Sequence, residues 1–167
     1  MAFSRIKKQD AKEEAVEKLL CEKYNSYYRM AMSYVHNEAD AMDIVQEGAY
    51  KAIKNSGSLK EPAFAGTWIY RIMLNEVYRF LNDRKVISFE GEVSEKISYE
   101  DRYENVDLKR ALENMPVKDK AVIELKYFEE LKLDEIASVL EENVSTVKSR
   151  LYRGLKKLRI QMQEENQ

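Results

Sequence analysis

Between Val144 and Ile160 the chain carries six basic side chains, Lys148, Arg150, Arg153, Lys156, Lys157 and Arg159, and no acid. With Val147 at 0° on a helix advancing about 100° per residue, Leu158, Leu151 and Leu155 fall within about 80° as one apolar stripe. The opposite arc collects Ser145, Thr146, Ser149, Arg150, Arg153, Lys156 and Lys157. Guanidinium groups match guanine edges, hydroxyls pair with any base, and ammonium groups neutralise phosphates, so this face suits duplex nucleic acid. The preceding segment 133–140 lines up Leu133, Ile136, Ala137 and Leu140, and the small Ala137 allows a tight crossing with a following helix. A short turn, 141–144, leads to Ser145, the expected N-cap. The pattern predicts a helix-turn-helix with 145–159 in the major groove. Its candidate readers are Ser145, Thr146, Lys148, Ser149, Arg150, Arg153 and Lys156. The plain alternative is a surface helix whose basic face is merely solvated. The acids Glu129, Glu130, Asp134, Glu135, Glu141 and Glu142 just upstream either orient the basic helix by repulsion from a polyanion or keep the unit soluble.

A second chemistry is written into 67–85. Ile69, Tyr70, Met73, Leu74, Val77, Phe80 and Leu81 form a broad apolar arc for a core, and the remaining arc holds Trp68, Arg71, Asn75, Tyr78, Arg79 and Asn82. An ordinary solvated face favours Lys and Glu; aromatics flanked by guanidinium and amide groups suit unstacked bases, at roughly 1–3 kcal/mol per stacked base. Trp68, Arg71, Asn75, Tyr78 and Arg79 are the candidate residues. The competing reading packs Trp68 and Tyr78 under a neighbouring helix with the polar groups as a rim.

In 38–54, Met42, Val45, Ala49, Ala52 and Ile53 are expected in the core, and Asp40, Asp43 and Glu47 line another side with Ile44 beside them. Paired carboxylates can perform acid-base catalysis. Here they have no Cys, His or glycine-rich companion, so a protein-docking face of Asp40, Asp43, Ile44, Gln46 and Glu47, or a solvated face with a Glu47–Lys51 pair, is the better reading. No catalytic residue, metal ligand or cofactor site is assigned, and the chain is read as no enzyme.

The elements that must position these faces are helices. Of 167 residues only five are Gly and two Pro, with 44% hydrophobic and 35% charged, which excludes disordered and low-complexity classes. One cysteine and one histidine exclude a disulfide framework, a zinc ribbon and a histidine-based triad. No stretch approaches the roughly 18–20 apolar residues that span a bilayer, and the N-terminal basic residues lead into charge rather than an apolar run. Helical spacing covers 10–35, 38–54 and 63–85, broken at His36-Asn37 and at 55–62, and resumes over 107–115, 117–128 behind Pro116, 133–140 and 145–160. The net charge of −2 hides a partition: +2 over 1–85, −4 over 86–106, and zero over 107–167. The expectation is an all-α chain of two small helical domains, 1–85 and 107–167, joined by an acidic linker, 86–106, in a reducing, cytoplasmic setting.

These residues resemble the sigma factors of bacterial RNA polymerase, in the extracytoplasmic-function group that keeps the second and fourth regions. Ala39-Asp-Ala-Met-Asp-Ile-Val-Gln-Glu47 resembles that family's polymerase-binding helix; Phe64-Ala-Gly-Thr-Trp-Ile-Tyr-Arg-Ile72 with Asn75 resembles its promoter-melting helix. Leu112-Glu-Asn-Met-Pro116, Asp134-Glu-Ile-Ala137 and Thr146-Val-Lys-Ser-Arg-Leu151 resemble its −35-reading domain. The resemblance implies docking on core RNA polymerase through Asp43, Gln46 and Glu47. It also implies capture of a melted −10 strand by the loop 55–65 with Arg71, Asn75 and Arg79, and −35 reading by 145–153. The linker would follow a positively charged polymerase channel, and an anti-sigma factor, often membrane-anchored, would hold the protein inactive without membrane insertion of its own. Stress or cell-envelope genes would be the targets. Departures are Gly48, Tyr50 and Ile53 in the docking helix, Lys132 at a Ser/Thr cap, Glu141 at a turn glycine, Glu142 at an apolar turn position and Gly154 at an alanine. Residues 1–20 match nothing in the pattern. The rival reading is a one-component regulator, an N-terminal effector or dimerisation domain on the helix-turn-helix, binding palindromic promoter DNA as a dimer.

Overall fold

The computed structural model describes residues 2–88 and 106–165, and the chain divides into two compact units, Met1–Ser98 and Tyr99–Gln167. Every regular element among the described residues is helical. The expected linker lies outside the described residues except at its ends, where 86–88 extend one helix and Val106 opens the next.

The first unit contains α1 (Ala2–Glu22), α2 (Tyr24–Val35), α3 (Glu38–Lys54), two single 3-10 turns (Ser56–Ser58 and Pro62–Phe64) and α4 (Ala65–Ser88). The helix expected over 10–35 begins earlier and breaks at Lys23, whose φ of −109° and ψ of 16° leave the helical region. The break sets the Lys23 ammonium 5.5 Å from the centre of the Tyr70 ring, and Tyr27 meets the same ring edge-on at 5.2 Å. Val16 and Leu20 of α1 are buried, so the N-terminal helix is part of this core. At the expected break, His36 adopts a left-handed φ of 54° and donates its N–H to Met32 O, while the Asn37 side chain accepts from Asp40 N at 3.0 Å and caps α3.

Gly48 sets how α3 meets α4: a β-carbon there would collide with Met73 Sδ. Close approach needs small side chains inward, and Ala41, Ile44, Val45, Gly48 and Ala52 are the buried positions of α3. The stripe expected through Met42, Ala49 and Ile53 is therefore rotated by roughly 75°. Met42 and Ile53 point outward, 42% and 38% exposed. Behind the crossing, the buried carboxylate of Glu76 on α4 pairs with the Lys51 ammonium of α3. The Glu47–Lys51 contact expected along α3 exists at 3.9 Å, but Glu76 is the nearer partner.

The second unit contains α5 (Val106–Glu113), α6 (Val117–Ile123), α7 (Leu133–Leu140) and α8 (Val144–Glu165). Pro116 stands at the N-cap of α6, and the continuous helix expected to Phe128 changes into a wider π-turn over Glu124–Phe128. Residues Asp119, Lys120, Ala121, Val122, Ile123, Glu124 and Leu125 are all buried, so α6 is the central helix of the unit. Lys120 and Glu124 approach to 4.0 Å inside it, and burial pushes the Lys120 ammonium below its usual 10.5 despite Glu124. From α8, Val147, Leu151 and Leu158 enter the core as the apolar stripe requires, with Leu155 half-buried. A β-carbon on Gly154 would lie 2.7 Å from Ile123 Cδ1, tighter than packed carbons tolerate, so this glycine lets α8 lie against α6.

Candidate nucleic-acid and protein interfaces

Three faces carry the sequence-predicted residues. On α3, Asp43, Gln46 and Glu47 are exposed, whereas Asp40 is partly covered and accepts from Arg84 Nη2 at 2.9 Å. Ile44, expected on this docking face, belongs to the core at 4% exposure, because the register set by Gly48 turns it inward. Met42, Tyr50 and Ile53 replace it on the surface, with Tyr50 58% exposed. The face is thus a carboxylate pair and an amide edged by three large apolar side chains, a mixture that suits a protein partner better than bulk water. Alternation of size rather than of polarity was the missed signal: Ala41, Gly48 and Ala52 mark the inward side.

On α4, Asn75, Arg79 and Asn82 are exposed, and Trp68, Arg71 and Tyr78 are half-buried. The core arc expected for this helix holds at Ile69, Tyr70, Met73, Leu74 and Val77, with Phe80 and Leu81 half-covered. Arg79 Nη1 lies 3.9 Å from Glu76 Oε2. In the loop before α4, Ser56 and Leu59 are buried anchors, and the Thr67 hydroxyl donates to Phe64 O at 3.2 Å. Phe64, which falls within the expected strand-holding loop 55–65, is 57% exposed beside the start of α4.

On α8 the helix start is held by Asn143 rather than Ser145. Asn143 Oδ1 accepts from Thr146 N at 2.8 Å, from the Thr146 hydroxyl at 2.8 Å and from the Ser145 hydroxyl at 3.1 Å. α7 and α8 form the expected helix-turn-helix, closed by Glu141 at a left-handed φ of 55° and by Glu142 N donating to Ala137 O at 3.0 Å. Ser145, Lys148, Ser149, Arg153 and Lys156 are exposed and Thr146 half-exposed. Tyr152, not among the expected readers, is 70% exposed on the same side of α8, four residues from both Lys148 and Lys156.

Arg150 is placed differently. Its Nε and Nη2 donate to both carboxylate oxygens of Glu142, at 2.8 and 2.9 Å, and its Nη1 donates to Asp119 Oδ1 at 3.1 Å. Arg153 Nε and Nη2 reach the same Asp119 at 3.0 and 3.3 Å. Lys118 adds a contact to Glu142 at 3.6 Å. The Arg150 hydrogen bonds hold the Glu142 carboxyl below its usual range, and the Glu142 and then the Asp119 hydrogen bonds raise the Arg150 guanidinium. Glu142 therefore fastens the turn to α8.

The family description for Sigma-70 region 2 fits residues 21–86, and that for Sigma-70 region 4 fits residues 105–158. The chain is 43% identical over 143 residues to RNA polymerase sigma factor SigV of Bacillus subtilis, covering 84% of this chain and 86% of that protein. Together with an ECF relative at 32% identity, this shows that the chain belongs to the extracytoplasmic-function sigma factors. This sigma factor is also 32% identical to ECF RNA polymerase sigma factor SigW of the same organism, over 97% of this chain and 95% of the relative. In fold it is similar to the sigma factor RpoE solved with the anti-sigma factor NepR from Bartonella quintana, with a TM-score of 0.73 at 20% identity, covering 88% and 96% of the two chains. CnrH, solved with the cytosolic domain of CnrY, matches with a TM-score of 0.67 at 20% identity over 94% and 97%. The dimeric one-component regulator is not favoured, since region 2 of a sigma factor occupies the part that reading assigns to an effector domain. No helix among the described residues is long and apolar enough to cross a membrane.

Proposed function

We propose that this alternative sigma factor docks on core RNA polymerase through Asp43, Gln46 and Glu47 of α3 with Met42, Tyr50 and Ile53 around them. The observation that carries this reading is the exposure of that mixed acidic and apolar stripe on a helix whose small side chains face inward. Asp40 contributes through Arg84 rather than by direct contact. The α4 face of Asn75, Arg79 and Arg71, with Trp68 and Tyr78 as half-covered stacking surfaces, receives the unpaired −10 strand, and the loop before it takes an extruded base. Helix α8 enters the −35 major groove with Ser145, Thr146, Lys148, Ser149, Arg153 and Lys156, while Arg150 stays within the protein. The domains of this reading are 1–85 for polymerase and −10 strand, 86–106 as connection and 107–167 for the −35 duplex. The protein acts as an initiation factor without catalysis of its own, in the cytoplasm where polymerase and chromosome meet. An anti-sigma factor covering the same faces would silence it.

Replacing Asp43 and Glu47 together by Arg tests the docking face. Binding to core polymerase should weaken by about 2–5 kcal/mol while the far-UV circular dichroism spectrum is unchanged. Wild-type binding by the folded double variant contradicts the assignment. For the α4 face, Arg71→Ala and Asn75→Ala should impair promoter opening, read by permanganate reactivity, more than closed-complex formation.

A further inference from the structure

We propose that Asp119 is a positioning residue that sets the base preference of α8: it aims Arg153 at a guanine, while Arg150 is a strut that reads no base. The proposal rests on the −35 reading above. It starts from the donor geometry of a guanidinium, which offers one edge at Nε and Nη2 and a second at Nη1 and Nη2. Glu142 occupies the first edge of Arg150, and Asp119 takes its Nη1, so every nitrogen of Arg150 already donates to a carboxylate. Its side chain is only 20% exposed. Turning its second edge to a guanine would mean giving up the Nη1 bond to Asp119 while Glu142 still holds the first edge.

Arg153 meets Asp119 through its first edge only. The second edge, two parallel N–H groups, is the one that matches guanine O6 and N7, and the side chain is 54% exposed. Asp119 itself is 1% exposed at the first turn of the central helix α6, so its carboxylate is a fixed point with little screening by water. A long side chain that would otherwise lose rotamer freedom on binding is thereby held in one orientation before DNA arrives. The cluster of Asp119, Glu142, Arg150, Arg153 and Lys118 sums to one positive charge, so it orients Arg153 without turning the face acidic.

The test uses holoenzyme assembled from core bacterial RNA polymerase and the full chain, offered a pool of promoter duplexes randomised over the −35 element, with the bound fraction sequenced. Wild type should prefer guanine at one position by about 5- to 150-fold, the range a good bidentate pair provides. Asp119→Asn should flatten that position to less than about twofold and leave the others selective. Arg153→Ala should flatten the same position, and the double variant should lose nothing further, the non-additivity expected when one residue acts through another. Arg150→Met should keep the preference, which keeps the proposal open to refutation even if Asp119→Asn folds poorly. An even fall across all positions in Asp119→Asn, or lost guanine preference in Arg150→Met but not in Arg153→Ala, would overturn it. A wild-type holoenzyme indifferent to every −35 position would defeat the −35 reading itself, a separate and recognisable result.

Discussion

The two units solve the same problem, fixing a helix that must present a working face, with opposite placement of charge. In the first unit the fastening pairs stand apart from the face: Lys51 with buried Glu76 behind the α3–α4 crossing, and Arg84 with Asp40 at its edge. Asp43, Gln46 and Glu47 stay exposed, Glu47 with a 3.9 Å contact to Lys51. In the second unit the fastening uses side chains of the basic helix α8 itself, with Arg150 and Arg153 converging on Asp119. A basic helix therefore has fewer uncommitted cations than its composition suggests, because a guanidinium can be held by carboxylates that a neighbouring helix and turn supply.

The largest effect should come from breaking the Lys51–Glu76 pair, whose other contacts are both as long as 3.9 Å. Lys51→Met leaves Glu76 buried with only Arg79 nearby at 3.9 Å, and should cost about 3–5 kcal/mol in urea unfolding of the full chain. Arg150→Met should cost less, about 2 kcal/mol, because Asp119 keeps Arg153 and Glu142 keeps Lys118. Equal losses would show that the shared cluster gives no redundancy. Lys148→Ala and Lys156→Ala, which touch neither carboxylate, should change stability by less than about 0.5 kcal/mol. Each should weaken holoenzyme binding almost uniformly across sequences and lower the salt slope by about one.

A pH series separates strut from reader. Glu142 has a lower pKa folded than its usual 4.5, through its hydrogen bonds from Arg150. Such a carboxylate stabilises the fold above its unfolded pKa and ceases to do so as pH falls through the folded value. The melting-temperature gap between wild type and Glu142→Gln should be widest near neutrality, narrow as pH falls past 4.5 and close only beneath the lower folded value. A gap independent of pH would remove the charge from the explanation. In the stabilising direction, Glu141→Gly should raise stability by about 1 kcal/mol or less, since it relieves a non-glycine left-handed residue while loosening the unfolded chain.

Much of this was legible in the residues. The stripe Val147, Leu151 and Leu158 is buried, the turn at His36-Asn37 is where its chemistry placed it, and the core arc of α4 holds from Ile69 to Val77. Three features stand out among those that were not. Weighting bulk over size sent Met42 and Ile53 inward, when a crossing at Gly48 against Met73 demanded small residues there and buried Ile44 instead. Ser145 was the nearer cap by type, but Asn143 reaches three donors. Arg150 was expected on the DNA because a helical wheel holds one helix, and its partners come from α6, 31 positions away, and from the turn. Pairing across elements is a property of the fold, invisible to spacing along one segment.

The central claim is that promoter recognition by this chain is conferred by polymerase, which receives the α3 face and brings both DNA-reading units to one promoter. The direct measurement is a gel shift of promoter DNA with the full chain alone and with core RNA polymerase, alongside sedimentation of the free chain. The account predicts a monomer that binds promoter weakly by itself and tightly, with sequence preference, once core enzyme is added. Nanomolar, sequence-specific binding by the isolated chain, above all as a dimer on a palindrome, would contradict it.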